Sequence, residues 1–370
     1  TLSIVNYFML FGALGMQLYG NRQVAYVRDN RKKLTETFWS LYIMQLITTA
    51  IATIIYMAVV IFFIKEYKII FLVQGLNMLS VSIDISWLFM GLEDFKKVSI
   101  RNMVVKLSGL VGVFVFIKNS DDLLLYITIT AIVNIIGMIV MWSYLPQYVE
   151  KISVNIKLIK KTIFPLLMLF LPQISTEVYT LLSRTMIGIF STVDEVIFYD
   201  YSQKIVRIVL ALVTSIGTVL MPRVSNMSAN GKESEISKFI CKAFMFISYI
   251  SIPMAFGLMG ASENLISWFL GKEYHKVGKI LALSSLKIIA VSWANIIGIQ
   301  YLVATKQEHK YTKSVVISAV VSFIININLI PRLGAFGAVI SLLIAEFGGS
   351  ILQLISVKRQ LNVKNMLVGV

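Results

Sequence analysis

Residues 84–102 read "DISWLFMGLEDFKKVSIRN", and the run before them, 69–83, is almost wholly apolar. A segment that leaves such a run through Asp84 and Trp87 and then breaks into "EDFKK", with both signs of charge, reads as the end of a membrane-spanning helix. Aromatic rings settle at headgroup level, and lysines collect on the cytoplasmic side. On this reading Glu93 to Lys97 is a cytoplasmic exit, and Asp84 lies about two helical turns deeper.

The rest of the chain extends that reading. Its 370 residues are 57% hydrophobic and only 14% charged, with a mean hydropathy of +0.80, far too little polar material to coat a soluble surface. The expected fold class is all-α and polytopic, because in lipid a helix satisfies its own backbone and an open sheet does not. Roughly eleven stretches are long enough to cross about 30 Å of hydrocarbon. They are 1–18, 38–64, 69–92, 98–117, 123–145, 163–190, 196–221, 239–260, 277–304, 314–330 and 337–357. Alternate connections, "NRQVAYVRDNRKK", "EDFKKVSIRN", "PQYVEKISVNIKLIKK", "PRVSNMSANGKESEISK", "TKQEHKYTK" and "KRQLNVKN", hold 21 of the 34 Lys and Arg, which places them in the cytoplasm. The net charge of +15 therefore reads as topology, not as a nucleic-acid footprint. The opposite connections are short and leave no room for an outer catalytic domain. A single Cys241 rules out a disulfide framework, and His275 and His309 stand far apart, so no metal site is expected. No P-loop, H-E-x-x-H, C-x-x-C or G-x-S-x-G pattern occurs. The chain opens inside one apolar stretch and closes as another begins, which predicts a fragment lacking at least its first helix.

Few ionisable residues fall inside the spans, and each must snorkel, pair or line a wet cavity. Lys106 and Lys242 lie near cytoplasmic ends and read as snorkelling. Arg184, Lys204 and Arg207 fall at similar depth on one helical hairpin. They suit either ion pairs with Glu177, Asp194, Glu195 or Asp200, or a cationic wall around an anionic headgroup such as a diphosphate. The local excess of positive charge favours the second. Pro165 and Pro172 are expected to kink the same helix beside the polar groups of Gln173, Ser175, Thr176 and Glu177. Asp84, Lys287 and Glu346 are single charges near mid-depth, suited to helix packing or to coupling.

The segments "SIVNYFMLFGALGMQLYGNRQVAY", "SWLFMGLEDFKKVSIRN", "LPQISTEVYTLLSRTMIG", "YDYSQKIVRIVLALVTSIGTVLMPRVS" and "GAFGAVISLLIAEF" resemble, in order and over nearly the whole chain, the Wzx-type polysaccharide repeat-unit flippases. These form the oligosaccharide flippase branch of the multidrug/oligosaccharidyl-lipid/polysaccharide exporter superfamily. The resemblance implies two six-helix lobes related by a pseudo-twofold axis along the membrane normal, here residues 1–150 and 151–370, dividing in "PQYVEKISVNIKLIKK". It implies movement of undecaprenyl-diphosphate-linked oligosaccharide from the cytoplasmic to the outer leaflet of a bacterial cell membrane. A polysaccharide polymerase and a chain-length regulator would be partners. Arg184, Lys204 and Arg207 match the cavity cations, with Gln173 and Glu177 beside them. Ser183 departs from the pattern, where an Asp commonly precedes the basic residue, so Arg184 is expected to lack a local counter-ion. No cofactor is implied beyond a coupling ion, H+ or Na+, for which Asp84, Lys287 and Glu346 are candidates. A cation-coupled multidrug antiporter of the same fold is the alternative, and a membrane-embedded polymerase a more distant one.

Overall fold

An apolar run long enough to cross a membrane need not be one helix, and the run 1–18 is not. Helix α1 (Leu2–Ala13) ends at Leu14 and Gly15, whose φ angles of 41° and 76° fall in the left-handed region that glycine enters freely. Helix α2 (Met16–Val27) then continues through what reads as a cytoplasmic connection. Arg22, expected in that connection, is 1% exposed and lies 5.1 Å from the centre of the Tyr19 ring. The connection proper shrinks to residues 28–30. There Asn30 caps α3 (Arg31–Phe63), its side-chain oxygen accepting from the Lys33 N–H at 3.0 Å, a contact worth about 1 kcal/mol.

The run 69–92 is likewise divided, into α4 (Lys68–Gln74), α5 (Leu76–Ser82) and α6 (Ser86–Gly91). The second break falls at Asp84. The Asp84 carboxylate accepts from the Ser86 N–H at 2.8 Å and from the Ser86 hydroxyl, starting α6 afresh, and from Gln17 Nε2 of α2 at 2.6 Å. Gln45 of α3 donates to the carbonyls of Val81 and Asp84, and its own oxygen accepts from the indole N–H of Trp87, which is fully buried. The carboxylate and amide thus satisfy backbone groups that a broken helix leaves unpaired. Trp87, expected at headgroup level, is core instead.

The chain continues through α7 (Phe95–Phe116), α8 (Leu123–Ser143), α9 (Ile156–Phe190), α10 (Val193–Thr218), α11 (Leu220–Ala229), α12 (Glu233–Phe269), α13 (His275–Ser285) and α14 (Lys287–Ala294). A π-helical segment, Asn295–Val303, leads to α15 (Glu308–Leu333) and α16 (Ala335–Val357). Helix α9 runs through Pro165 and Pro172, the two positions expected to kink it, as one continuous helix. The structure, a computed structural model, describes residues 2–65, 67–119, 122–150, 156–363 and 366, with the side chains of 2–4 and 177–181 outside that description. The expected lobe boundary at 150/151 abuts residues 151–155, which lie outside the described residues.

Among the described residues there is no strand, and ten helical segments are long and apolar enough to cross a membrane. The fold is all-α and polytopic. Two compact units are distinguished, Thr1–Phe170 and Leu171–Val370. In the first, Val5, Ala52, Tyr56, Val60, Phe71 and Met78 form a core in which the Tyr56 hydroxyl donates to the Phe71 carbonyl at 2.5 Å. In the second, Ile187, Ile280, Ile330, Ala338 and Val339 are among the buried residues that join α9, α13, α15 and α16. Outward positions stay apolar: Phe63 is 80% and Trp268 82% exposed, a surface suited to lipid.

Candidate functional site

The second unit has a half-open cavity of about 360 Å³. Five helices and the π segment line it. Thr176 comes from α9, Arg207 from α10, Lys287 from α14, Asn295 from the π segment, Ser318 from α15, and Glu346 and Gln353 from α16. Arg207, Lys287 and Glu346 lie on three different helices, and only tertiary packing brings them together. Lys287 Nζ stands 3.9 Å from Glu346 Oε1, with both side chains largely buried. That distance gives Coulombic attraction without a hydrogen bond. Arg207 lines the same space, and among the described residues no carboxylate forms an ion pair with it. Among the described residues, two cations against one carboxylate leave the walls with one positive charge in excess.

The lining is also polar beyond its charges. Gln353 donates from Nε2 to Ser314 Oγ at 3.1 Å, but its Oε1, like Ser318 Oγ, is buried with no hydrogen-bond partner among the described residues. Such atoms are rare in protein interiors; here the Gln353 oxygen packs against Gly298 and the Ser318 oxygen against Gly349, behind the cavity wall that the two residues help to form. Asn295 opens the π-helical segment, a geometry with widened turns that recurs at functional sites. Its side-chain oxygen accepts from Gln300 at 3.2 Å.

The residues read from the sequence separate into two sets. Arg207, Lys287 and Glu346, placed there in different groups, share the cavity. Arg184 does not line it: its guanidinium is 3.0 Å from Asp200 of α10. The counter-ion thought missing with Ser183 is supplied by the next helix. Ser183 itself is fully buried and accepts from Asn326 Nδ2 at 2.9 Å. Lys204 is exposed and lies 5.4 Å from the Tyr201 ring one turn back on its own helix. Gln173 is half-buried on α9 and is not among the lining residues, and the side chain of Glu177 lies outside the described residues. Asp84 belongs to the first unit, in the helix break above. Glu195, considered as a partner for these cations, is instead bound to Lys276 of α13 and accepts from the Ala335 N–H of α16 at 3.0 Å. Gly334 makes this possible, since a Cβ there would stand 2.8 Å from Glu195 Oε2. Thr176 was legible as one of the polar groups beside Pro172. Asn295, Ser318 and Gln353 were missed, although an amide in an apolar span, as in "SILQLIS" and "WANIIGIQY", is the signal that marks Asn295 and Gln353.

Residues 1–228 match the family described as polysaccharide biosynthesis protein. The chain belongs to that family. Relatives include a protein from Shigella dysenteriae, provisionally named an O-antigen transporter. It is 25% identical over 289 residues, which cover 77% of this chain and 72% of that protein. A protein of Escherichia coli K12 with the same provisional name is 19% identical over 345 residues, 92% of this chain and 83% of that one. Among solved structures, an outward-facing multidrug resistance MATE family transporter of the MOP superfamily matches with a TM-score of 0.79 at 10% identity, over 98% of this chain and 86% of that one. That likeness extends to the fold.

Proposed function

We propose that this polysaccharide biosynthesis protein is a membrane flippase, a transporter and not an enzyme, whose cargo is oligosaccharide carried on a polyprenyl diphosphate, undecaprenyl diphosphate in a bacterial cell membrane. The observation that carries the reading is the cavity in which Arg207 and Lys287 face a single carboxylate, Glu346, among the described residues. A doubly esterified diphosphate is anionic and takes charge-assisted hydrogen bonds from guanidinium and ammonium groups. Its sugars find the amide and hydroxyl groups of Asn295, Gln353 and Ser318, while the polyprenyl tail stays in hydrocarbon. The relatives named as O-antigen transporters support this cargo class. In this scheme the polymerase and chain-length regulator of surface polysaccharide synthesis act on what it delivers.

Alternating access would bring the headgroup across. An inside-negative potential favours outward movement of an anion by about 2.3 kcal/mol per charge per 100 mV. Where H+ is the coupling ion, Glu346 is where it would act, because protonation raises the positive excess of the walls and neutralisation of the carboxylate frees Lys287 for the anion. A cation-coupled drug antiporter is disfavoured by the same lining, since its one carboxylate among the described residues already stands beside an ammonium.

The test is Arg207→Ala expressed in a strain lacking the native copy. Surface polysaccharide should fall about tenfold or more, the worth of one charge-assisted hydrogen bond, at unchanged membrane abundance. Normal export at equal abundance would sink the basic-cavity reading.

A further inference from the structure

The first unit has a larger cavity, about 610 Å³, in the flank formed by α7 and α8. Its floor is set by Gly137, where any side chain would run into Val105 of the facing helix. Its walls are apolar yet open: Val104 is 55%, Ile136 54% and Val140 44% exposed. Such a trough between spans is filled by hydrocarbon in a membrane. One end is different. Lys96, Lys97 and Arg101 line it with one carboxylate, Asp94.

These cations are not equally engaged. Lys97 is held 2.8 Å from Asp94 Oδ2, donates to the Tyr148 hydroxyl at 2.6 Å and lies 4.5 Å from the centre of that ring. Arg101 donates from Nη2 to Ser86 Oγ at 2.6 Å and from Nη1 to Met138 Sδ at 3.0 Å, and its Nε is buried with no partner among the described residues. Lys96 is exposed, and among the described residues it forms no ion pair. Lys96 and Lys97 also occupy the first turn of α7, where cations oppose the positive end of the helix dipole and an anion is favoured. From Lys97 to Ser108 the trough follows α7 for about 16 Å, roughly half of the 30 Å hydrocarbon core and so the depth of one leaflet.

We propose that this trough is a binding site for an anionic phospholipid of the leaflet on the Lys-rich side. Its phosphate meets Lys96 in the field of Arg101, and one acyl chain lies between α7 and α8. The charge at the mouth selects against zwitterionic lipid. The one-leaflet depth selects against a polyprenyl chain, which would overrun it. The site is independent of the cavity in the second unit.

Purified full chain in neutral detergent, titrated with phosphatidylglycerol, phosphatidylcholine or a polyprenyl phosphate and followed by native mass spectrometry and Tm, tests this. Phosphatidylglycerol should be retained and raise Tm, phosphatidylcholine should do neither, and Lys96→Gln should weaken phosphatidylglycerol about fivefold, the worth of one basic residue at an anionic surface. Ile136→Trp, which fills the trough, should abolish retention while leaving Tm in lipid-free detergent unchanged. If that variant is itself destabilised, Val104→Trp on the opposite wall provides the same reading. Equal retention of the two phospholipids, retention of the polyprenyl phosphate alone, or wild-type retention by both the charge and the filling variants would overturn the proposal.

Discussion

Asp84 and Glu346 look alike as letters: each is a lone carboxylate in a long apolar run. In the molecule they differ in kind. Asp84 sits where a helix stops, and its oxygens are taken up by Ser86 and by Gln17, so the charge is spent on starting α6. Glu346 sits inside an uninterrupted helix, beside Lys287 at 3.9 Å and in one cavity with Arg207. The backbone decides which carboxylate is architectural. A broken helix offers N–H donors to a nearby acid, whereas an intact one leaves its acid to find partners on other helices.

The comparison breaks first, if it breaks, at Glu346. Glu346→Ala leaves Lys287 buried next to a second cation, and loss of one member of such a pair costs about 3–5 kcal/mol. A large fall in Tm in detergent is expected, and the double change Lys287→Met with Glu346→Leu should recover most of it. A single variant as stable as wild type would mean that the pair is solvated and unimportant to packing. Next comes Asp84→Asn, which keeps the shape but removes the charge from its hydrogen bonds. It should cost about 1–3 kcal/mol while leaving surface polysaccharide near normal. Export lost at full stability would reverse the contrast and place Asp84 in transport. The smallest effect belongs to a third acid, Asp94, outside the spans. Burial pushes its carboxyl up, but hydrogen bonds from Lys97 and Tyr148 and the Lys97 charge outweigh that and hold it below the ordinary range. A depressed carboxyl stabilises fully above its unfolded value, near 3.9, and the contribution fades as pH falls through the folded value. Asp94→Asn should therefore lower Tm slightly at neutrality, where that contribution is fully present, and leave it nearly unchanged in strong acid, so that the acid limb of Tm against pH is flatter.

Hydropathy located the lipid-crossing stretches because it measures what contacts hydrocarbon. It was blind to whether a stretch is one helix. The left-handed turn at Leu14 and Gly15 leaves the run just as apolar, and the break at Asp84 depends on donors such as Gln17, 67 residues from the carboxylate it serves. The same holds for the cavity. Arg207 and Glu346 were each legible as charges out of place, but that they face one space is a property of packing between α10 and α16. Arg184 shows the reverse: its pairing with Asp200, on the adjoining helix of the same hairpin, was one of two readings the local sequence left open, and depth alone did not separate them.

Glu195 grips an ammonium on α13 and a peptide N–H on α16 while belonging to α10 itself. Three rods fastened at a common point answer a load there as one piece. The fastening lies about 16–18 Å along α10 and α16 from Arg207 and Glu346, so any breathing of the second unit pivots at the pin and is greatest at the unfastened tips. Cutting it, as Glu195→Gln would, should loosen the whole trio before it alters a single wall of the chamber.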